Sequence, residues 1–398
     1  MKRLPAVPAF LGGKFISFFG DQIYMLALPL LVYELTASPI AMGISAAAEK
    51  LPLYLYPFAG VAADRFQRKK IIIMCDAARA LILGTVCILY YTHMLSFWHI
   101  AAAALASGLF SQLHNAAGFA VIPSLVKDKN KLLKVNSIDE SLFNGAILLG
   151  PAAGGILISL FSPALAILVN AASFILSAWT VSRISEEQGT SGAKGNVNGK
   201  SIMLDLKEGF YFVLKSKPLL VTNAALMIST FGTTMFLTQM IIYLKIIQIS
   251  DVQIGFILSA GGGGALAGAF IPMLLPERFS RKRILVITQI LGGLSIICLG
   301  FCSSWLLVGT ANLAGVAAAS VINPIIRTIR QNSAPTELLG RVQAISRFMG
   351  WLLIPAAALL SGYAASFFNP GSLIVLAGVI SLSAAAVYFL PYFKQVEL

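Results

Sequence analysis

The sequence predicts an all-α membrane protein, with twelve transmembrane helices in two pseudo-symmetric six-helix bundles. Three observations predict it. The 398 residues are 58% hydrophobic and only 11% charged, whereas soluble domains carry about a quarter charged residues. Twelve apolar runs approach the roughly 20 residues that a membrane helix needs: 10–33, 40–62, 71–92, 97–122, 137–160, 163–183, 219–244, 252–275, 284–303, 305–326, 342–365 and 371–391. A basic segment between two such runs occurs once in each half: ADRFQRKKII at 63–72 aligns without gaps to PERFSRKRIL at 276–285. A weaker echo relates KVNSI at 134–138 to RVQAI at 341–345. Repeats of this size in a membrane chain indicate two parallel halves.

The net charge of +13 excludes nucleic-acid binding, because the cations sit at the ends of apolar runs and not on one polar face. They also collect on one side. Lys2 and Arg3, the 65–70 cluster, Lys127 to Lys134, the 184–218 segment, Arg278 to Arg283, Arg327, Arg330, Arg341 and Lys394 share that side, and only Lys245 lies near the other. Lys and Arg are retained in the cytoplasm, so both termini and the central segment are expected there. No cleavable signal peptide is expected, because the first apolar run continues past Lys2 and Arg3 to Val32. Residues 184–218 contain EEQGTSGAKGNVNGK and read as a flexible linker between halves 1–183 and 219–398. Their later part, Met203 to Leu214, has the pattern of an amphipathic surface helix.

Along the chain, ionisable residues inside spans are the functional candidates, because burying charge in a bilayer is costly. Span 1 carries Asp21 near its middle, and span 2 carries Glu49 and Lys50. Asp21 with Lys50 is the expected buried pair, with Asp21 exchanging a proton or binding a cation; Glu49 is the next candidate. Span 3 has Asp76 and Arg79 three residues apart, on one helix face, expected as a structural gate pair. Span 4 has His114 and Asn115; His114 is read either as a hydrogen-bonded packing residue or as a proton carrier. Asp139 and Glu140 open span 5, as proton carriers or as first-turn acids favoured by the helix dipole. Phe18, Phe19, Tyr24, Tyr54, Phe236 and Tyr243, with Asn223, Gln239 and Asn312, are candidate substrate contacts. The second half has no mid-span acid, which places the coupling chemistry in the first half.

The segment GVAADRFQRKK at 60–70 resembles the loop between the second and third helices of major facilitator superfamily transporters, Gly-x-x-x-Asp-Arg-x-x-Arg-Arg/Lys. Gly60, Asp64, Arg65, Arg68 and Lys69 match it position by position. The second copy is degenerate: Glu277, Arg278 and Arg281 are retained, but Met273 replaces the glycine. A topology signal alone would explain the cations, but not Gly60 or Asp64. The resemblance implies a secondary transporter that alternates access. It also implies that Asp64 docks near Gly340 and Arg341 to hold the cytoplasmic side closed. In span 5, Gly150, Pro151, Gly154 and Gly155 resemble the glycine-proline motif of facilitator antiporters, with Ala146 where the family has another glycine. Close packing of small residues is the plainer alternative. Span 4 departs from the drug-exporter pattern, because Ala104 stands where an arginine is usual. The segments at 16–36 and 108–126 are more similar to the branch with macrolide and enterobactin exporters and lysophospholipid transporters.

The resemblance therefore implies proton-coupled export of an amphipathic or hydrophobic small molecule, with lysophospholipid transport as the alternative. It implies a monomer among membrane lipids in a bacterial-type inner membrane, with the proton gradient as energy source and no cofactor. Enzymatic chemistry is not expected. His93, His99 and His114 form no metal-protease pattern, and no GxxxxGK[ST] phosphate loop occurs. Cys75, Cys87, Cys298 and Cys302 all fall in spans and read as packing residues, with no metal site.

Overall fold

The computed structural model describes residues 5–55, 58–59, 66–126, 129–184, 199–274, 280–335 and 338–390. Among them every regular element is helical. The helices are α1 (Ala6–Thr36), α2 (Pro39–Lys50), α3 (Arg68–Tyr91), α4 (Phe97–Leu125), α5 (Lys129–Leu160), α6 (Pro163–Ser182) and α7 (Gly199–Lys215). They continue with α8 (Lys217–Ile246), α9 (Asp251–Leu274), α10 (Arg281–Leu299), α11 (Trp305–Ser333), α12 (Leu339–Trp351), α13 (Ile354–Ala364) and α14 (Pro370–Val387). Ten candidate spans among the described residues are long and apolar enough to cross a membrane. Met74, Leu81, Trp98, Leu160 and Phe301 lie exposed on the outer faces. In water such apolar surface drives association; in lipid it is matched to its solvent.

Local sequence sets the helix starts. Ser38, Ser162 and Asn369 each precede a proline and accept a hydrogen bond from the backbone of the first turn, which satisfies a free N–H. Ser280 does the same for α10.

Three expected spans differ. Run 40–62 is interrupted: α2 ends at Lys50 and a 3-10 turn follows over Leu51–Leu55. Pro52 has no N–H for the carbonyl four residues back, so the α-helix cannot continue undisturbed. Glu49 and Lys50 therefore stand at a helix end and not at mid-helix. Run 342–365 is split into α12 and α13 with Pro355 in the first turn of the second, for the same reason. The fifth run starts earlier than expected, because its helix reaches back to Lys129. Asp139 is thus inside the helix, and the dipole explanation for it falls. The amphipathic segment is helical, as α7.

Contacts divide the chain into two compact units, Met1–Gly195 with Ser250–Ser259, and Asn196–Ile249 with Ala260–Leu398. In the first, α1 packs on α5 and α6, α3 on α4 and α6, and α2 on α4. Lipid supplies no hydrophobic drive between helices, so small residues that permit close contact matter most. Gly13 faces Thr180, and Gly20 faces Asn170 and Ser173. The second of these contacts sets the depth of the next residue, Asp21. Phe10, Leu11, Ile72, Ala117 and Val181 form an apolar core in the same unit.

In the second unit, α8 packs on α13 and α14, and α10 on α11 and α14. Gly293 faces Leu382, and Gly378 faces Ile297. Side-chain amides join helices here: Gln289 Nε2 donates to the Ser381 carbonyl at 2.8 Å and Gln239 Nε2 to the Ser361 carbonyl at 2.7 Å. Helix α7 is held to α12 by an Arg341–Glu208 ion pair and by an apolar cluster of Val213, Leu219, Val342 and Ile345.

Candidate functional site

The first unit holds a partly open cavity of about 180 Å³ among α1, α2, α3 and α4, lined in part by Asp21, Tyr24, Glu49, Lys50, Arg79 and Gln112. Four charged side chains in one membrane-embedded cavity are expensive unless paired. They are paired. Arg79 Nη2 donates to Asp21 Oδ1 at 2.5 Å, and Lys50 Nζ to Glu49 Oε1 at 2.5 Å.

The Arg79 side chain is only 5% exposed, and Asp21 is 25% exposed on the cavity side. Asn170 Nδ2 donates to the same Asp21 oxygen at 3.4 Å. Arg79 Nε donates to Ser107 Oγ at 3.4 Å, and its guanidinium carbon lies 3.9 Å from the centre of the Phe174 ring. A planar guanidinium can do all three at once: donate to a carboxylate, hydrogen-bond sideways and stack on an aromatic face. A lysine cannot. The Tyr24 hydroxyl is buried at the cavity without a hydrogen-bond partner among the described residues. Phe18 also lines the cavity and stacks on Phe143 at 4.2 Å.

Two expected pairs are therefore corrected. Asp21 pairs with Arg79, not Lys50. Gly108 lets the end of α2 lie against α4 through the Glu49 carbonyl, and there Lys50 is satisfied by its own neighbour. Asp76 and Arg79 do not form a gate pair, although they share a helix face. Arg79 reaches across to α1, while His114 Nε2 of α4 lies 3.3 Å from Asp76 Oδ1. Asp139 is bound to Lys14, with Nζ–oxygen distances of 2.6 and 2.7 Å.

Of the loop motif, Gly60, Asp64, Arg65, Glu277 and Arg278 lie outside the described residues. Arg68 and Arg281 begin α3 and α10, and Lys69 Nζ donates to the Ile184 carbonyl at 2.7 Å. In α5, Gly150 packs on Gln22 and Gly154 on the Ile23 backbone, while Gly155 faces Gly255 in the 250–259 segment of the same unit. Pro151 lies inside the helix.

In the second unit Phe236 and Asn312 line a smaller cavity of about 70 Å³ with uncharged, largely apolar walls. Asn223 is committed elsewhere: it accepts from Arg330 Nη2 at 3.2 Å and donates to Ser346 Oγ at 3.1 Å. Arg330, read from its position as a surface cation, is buried. Tyr243 donates to the Cys302 carbonyl at 2.9 Å and so ties a helix end.

The model of the Major Facilitator Superfamily matches residues 10–271 and 223–397. The chain belongs to the major facilitator superfamily. It is a multi-pass membrane transporter, not an enzyme. It is 26% identical to the MFS-type transporter YfiS of Bacillus subtilis, over 94% of this chain and 91% of that one. It is 24% identical to the multidrug efflux pump Tap of Mycolicibacterium fortuitum, over 95% and 94%. A shorter match, 31% identical over 46% of each chain, is to the putative bacilysin exporter BacE of Bacillus amyloliquefaciens. Among solved structures, a bacterial homologue of the iron transporter ferroportin in an inward-facing state covers 100% of both chains, with TM-score 0.74 and 15% identity. The nucleoside transporter NupG covers 98% of this chain and 100% of its own, with TM-score 0.76 and 11% identity. At these identities the solved structures show the shared facilitator fold alone. Within that fold this chain has Ala104 on α4, and a buried arginine enters the site from α3.

Proposed function

We propose that this facilitator is a proton-coupled exporter of an amphipathic or hydrophobic small molecule such as a drug, macrolide or siderophore. The observation that carries the reading is the Asp21–Arg79 pair at the wall of a membrane-embedded cavity. A carboxylate that faces a cavity and is balanced by one buried cation can trade that cation for a proton. The full-length relative named as a multidrug efflux pump supports export. So does the shorter match to a bacilysin exporter. Asp21 carries the proton, Arg79 is its counter-ion, and Phe18 and the Tyr24 hydroxyl meet the cargo. The working molecule is a monomer of twelve spans in two pseudo-symmetric halves in a bacterial inner membrane.

Purified protein in proteoliposomes, assayed with a panel of macrolides, siderophores and lipophilic dyes, tests the function. At least one compound should move uphill under an imposed pH gradient, and a protonophore should stop it. Transport that ignores the gradient would instead identify a facilitative carrier. Lysophospholipid movement under the same conditions would favour the lipid-transporting branch.

The cation asymmetry supports an orientation with residues 184–218 in the cytoplasm. Ser191→Cys should react with an impermeant thiol reagent in inside-out vesicles and not in intact cells, with the parent as control. Labelling in intact cells reverses the orientation.

A further inference from the structure

Behind Arg79, away from the cavity lining, lies a second acid that the reading above does not use. Asp76 of α3 is completely buried. Neither of its oxygens receives an aligned hydrogen bond from the described residues. Two groups face it: His114 of α4, with Nε2 3.3 Å from Oδ1, and the buried hydroxyl of Ser177 of α6. Arg79 and Cys75 of the same helix, with Asp21 and Lys14 of α1, are the other titratable or charged groups around the pair. Neither Asp76 nor His114 is in the cavity wall.

A carboxylate in this position needs a cation or a proton, because a buried unpaired charge is strongly disfavoured. The nearest guanidinium is occupied by Asp21. One proton shared by Asp76 and His114 meets the need. Acid with neutral imidazole and carboxylate with imidazolium are both neutral as a pair. The arrangement changes when Asp21 takes a proton. Arg79 then loses its counter-ion, and Asp76 stands three residues earlier on the same helix face, within the influence of the Arg79 charge. It can balance Arg79 only if the proton it shares departs.

We propose that Asp76 and His114 form a second proton-binding site, which gives up its proton when Arg79 exchanges Asp21 for Asp76. The charge balances. Before the exchange, Asp21 is −1, Arg79 is +1 and the pair is neutral. Afterwards, Asp21 is neutral, Arg79 is +1 and the pair is −1. Asp21 takes one proton from water on the cavity side and forms its O–H bond, and the pair gives up one proton to water, so uptake and release are equal. The proposal rests on Asp21 being the coupling carboxylate. In it Asp76 and His114 are positioning residues that act through Arg79.

The test uses proteoliposome efflux at a series of pH values for the parent, Asp76→Asn and His114→Gln. In both variants the pH of half-maximal efflux should move by about one unit or more. Substrate affinity should stay within about twofold. The double variant should behave as either single one, because residues acting as one unit are non-additive. Parental pH profiles in both variants overturn the proposal. A second measurement does not depend on Asp76→Asn folding. The chain has three histidines, so 15N-histidine labelling resolves them, and the His114 signal is the one absent from His114→Gln. Asp21→Asn mimics protonated Asp21 and should therefore alter the His114 signal. An unchanged signal in Asp21→Asn rejects the link. The two readings fail separately. If Asp21→Asn still concentrates substrate, the coupling role of Asp21 is wrong. If it loses uphill transport while His114→Gln keeps the parental profile, only the second site is wrong.

Discussion

Asp21→Asn should abolish uphill export and leave downhill substrate movement. One proton exchanged per substrate under a gradient of one pH unit supplies about 1.4 kcal/mol, which supports roughly a tenfold accumulation. In Asp21→Asn that ratio should fall to about one. An amide has the shape of the protonated acid, so substrate binding should persist within a few-fold. The variant has a built-in hazard: Arg79 is left without its carboxylate in a position that is only 5% exposed. The control is Asp21→Asn with Arg79→Gln, which removes both charges and leaves two amides able to hydrogen-bond. If the single variant misfolds and the double one folds, the loss of coupling is read from the double. Parental accumulation ratios in either variant would make Asp21 structural, and Glu49 or Asp139 would take its place as candidate. Glu49 is already bonded to Lys50 and Asp139 to Lys14, so each of them also has a cation to exchange.

The helical membrane fold was legible because its main physical signal is carried by short runs of sequence. Apolar runs of span length follow from bilayer thickness, and most of the described helices lie on them. The exceptions are also physical. Pro52 and Pro355 break expected spans, since a missing N–H costs a helical hydrogen bond whatever the hydropathy. The candidate site was legible only as a set of residues. Asp21, Glu49, Lys50, Asp76, Arg79 and His114 stood out because ionisable groups in spans are rare. Their pairing was not legible. Which cation reaches Asp21 depends on how deeply α1 sits against α6 at Gly20, and on where α2 stops. Both are tertiary facts. Reach along one helix favoured Asp76 with Arg79, but a guanidinium on a long stem can prefer a carboxylate on the next helix. Ser107 and Phe174, which orient Arg79, and Asn170, which donates to Asp21, carry no sequence signal, because a serine, a phenylalanine and an asparagine in spans are ordinary packing residues. Asn170 and Phe174 lie four apart on α6, the spacing of one helix face. That spacing becomes informative only once Arg79 is known to lie there.

Arg79→Ala should be the most damaging single substitution in the first unit. It removes the partner of Asp21, the donor to Ser107 and the cation stacked on Phe174 in one step. Removing one member of a buried ion pair costs about 3–5 kcal/mol, because the other charge stays buried and alone. Asp21 opens partly to the cavity, so water can reach it, and the lower end, about 3 kcal/mol, is expected. Uphill export should be lost as well. Arg79→Lys separates charge from geometry. It keeps a cation but has no fork and no planar face, so part of the stability should return while coupled export stays well below the parent. The double variant Asp21→Asn, Arg79→Gln should be more stable than Arg79→Ala, since no charge is left uncompensated. That non-additivity is the signature of a direct pair. Thermal unfolding of the purified variants, with proteoliposome efflux under a pH gradient, measures both effects. If Arg79→Ala unfolds at the parental temperature and still drives uphill export, Arg79 is not the counter-ion of the coupling site. Efflux restored fully by Arg79→Lys would mean that only its charge is used, and that the contacts to Ser107 and Phe174 play no part in the cycle.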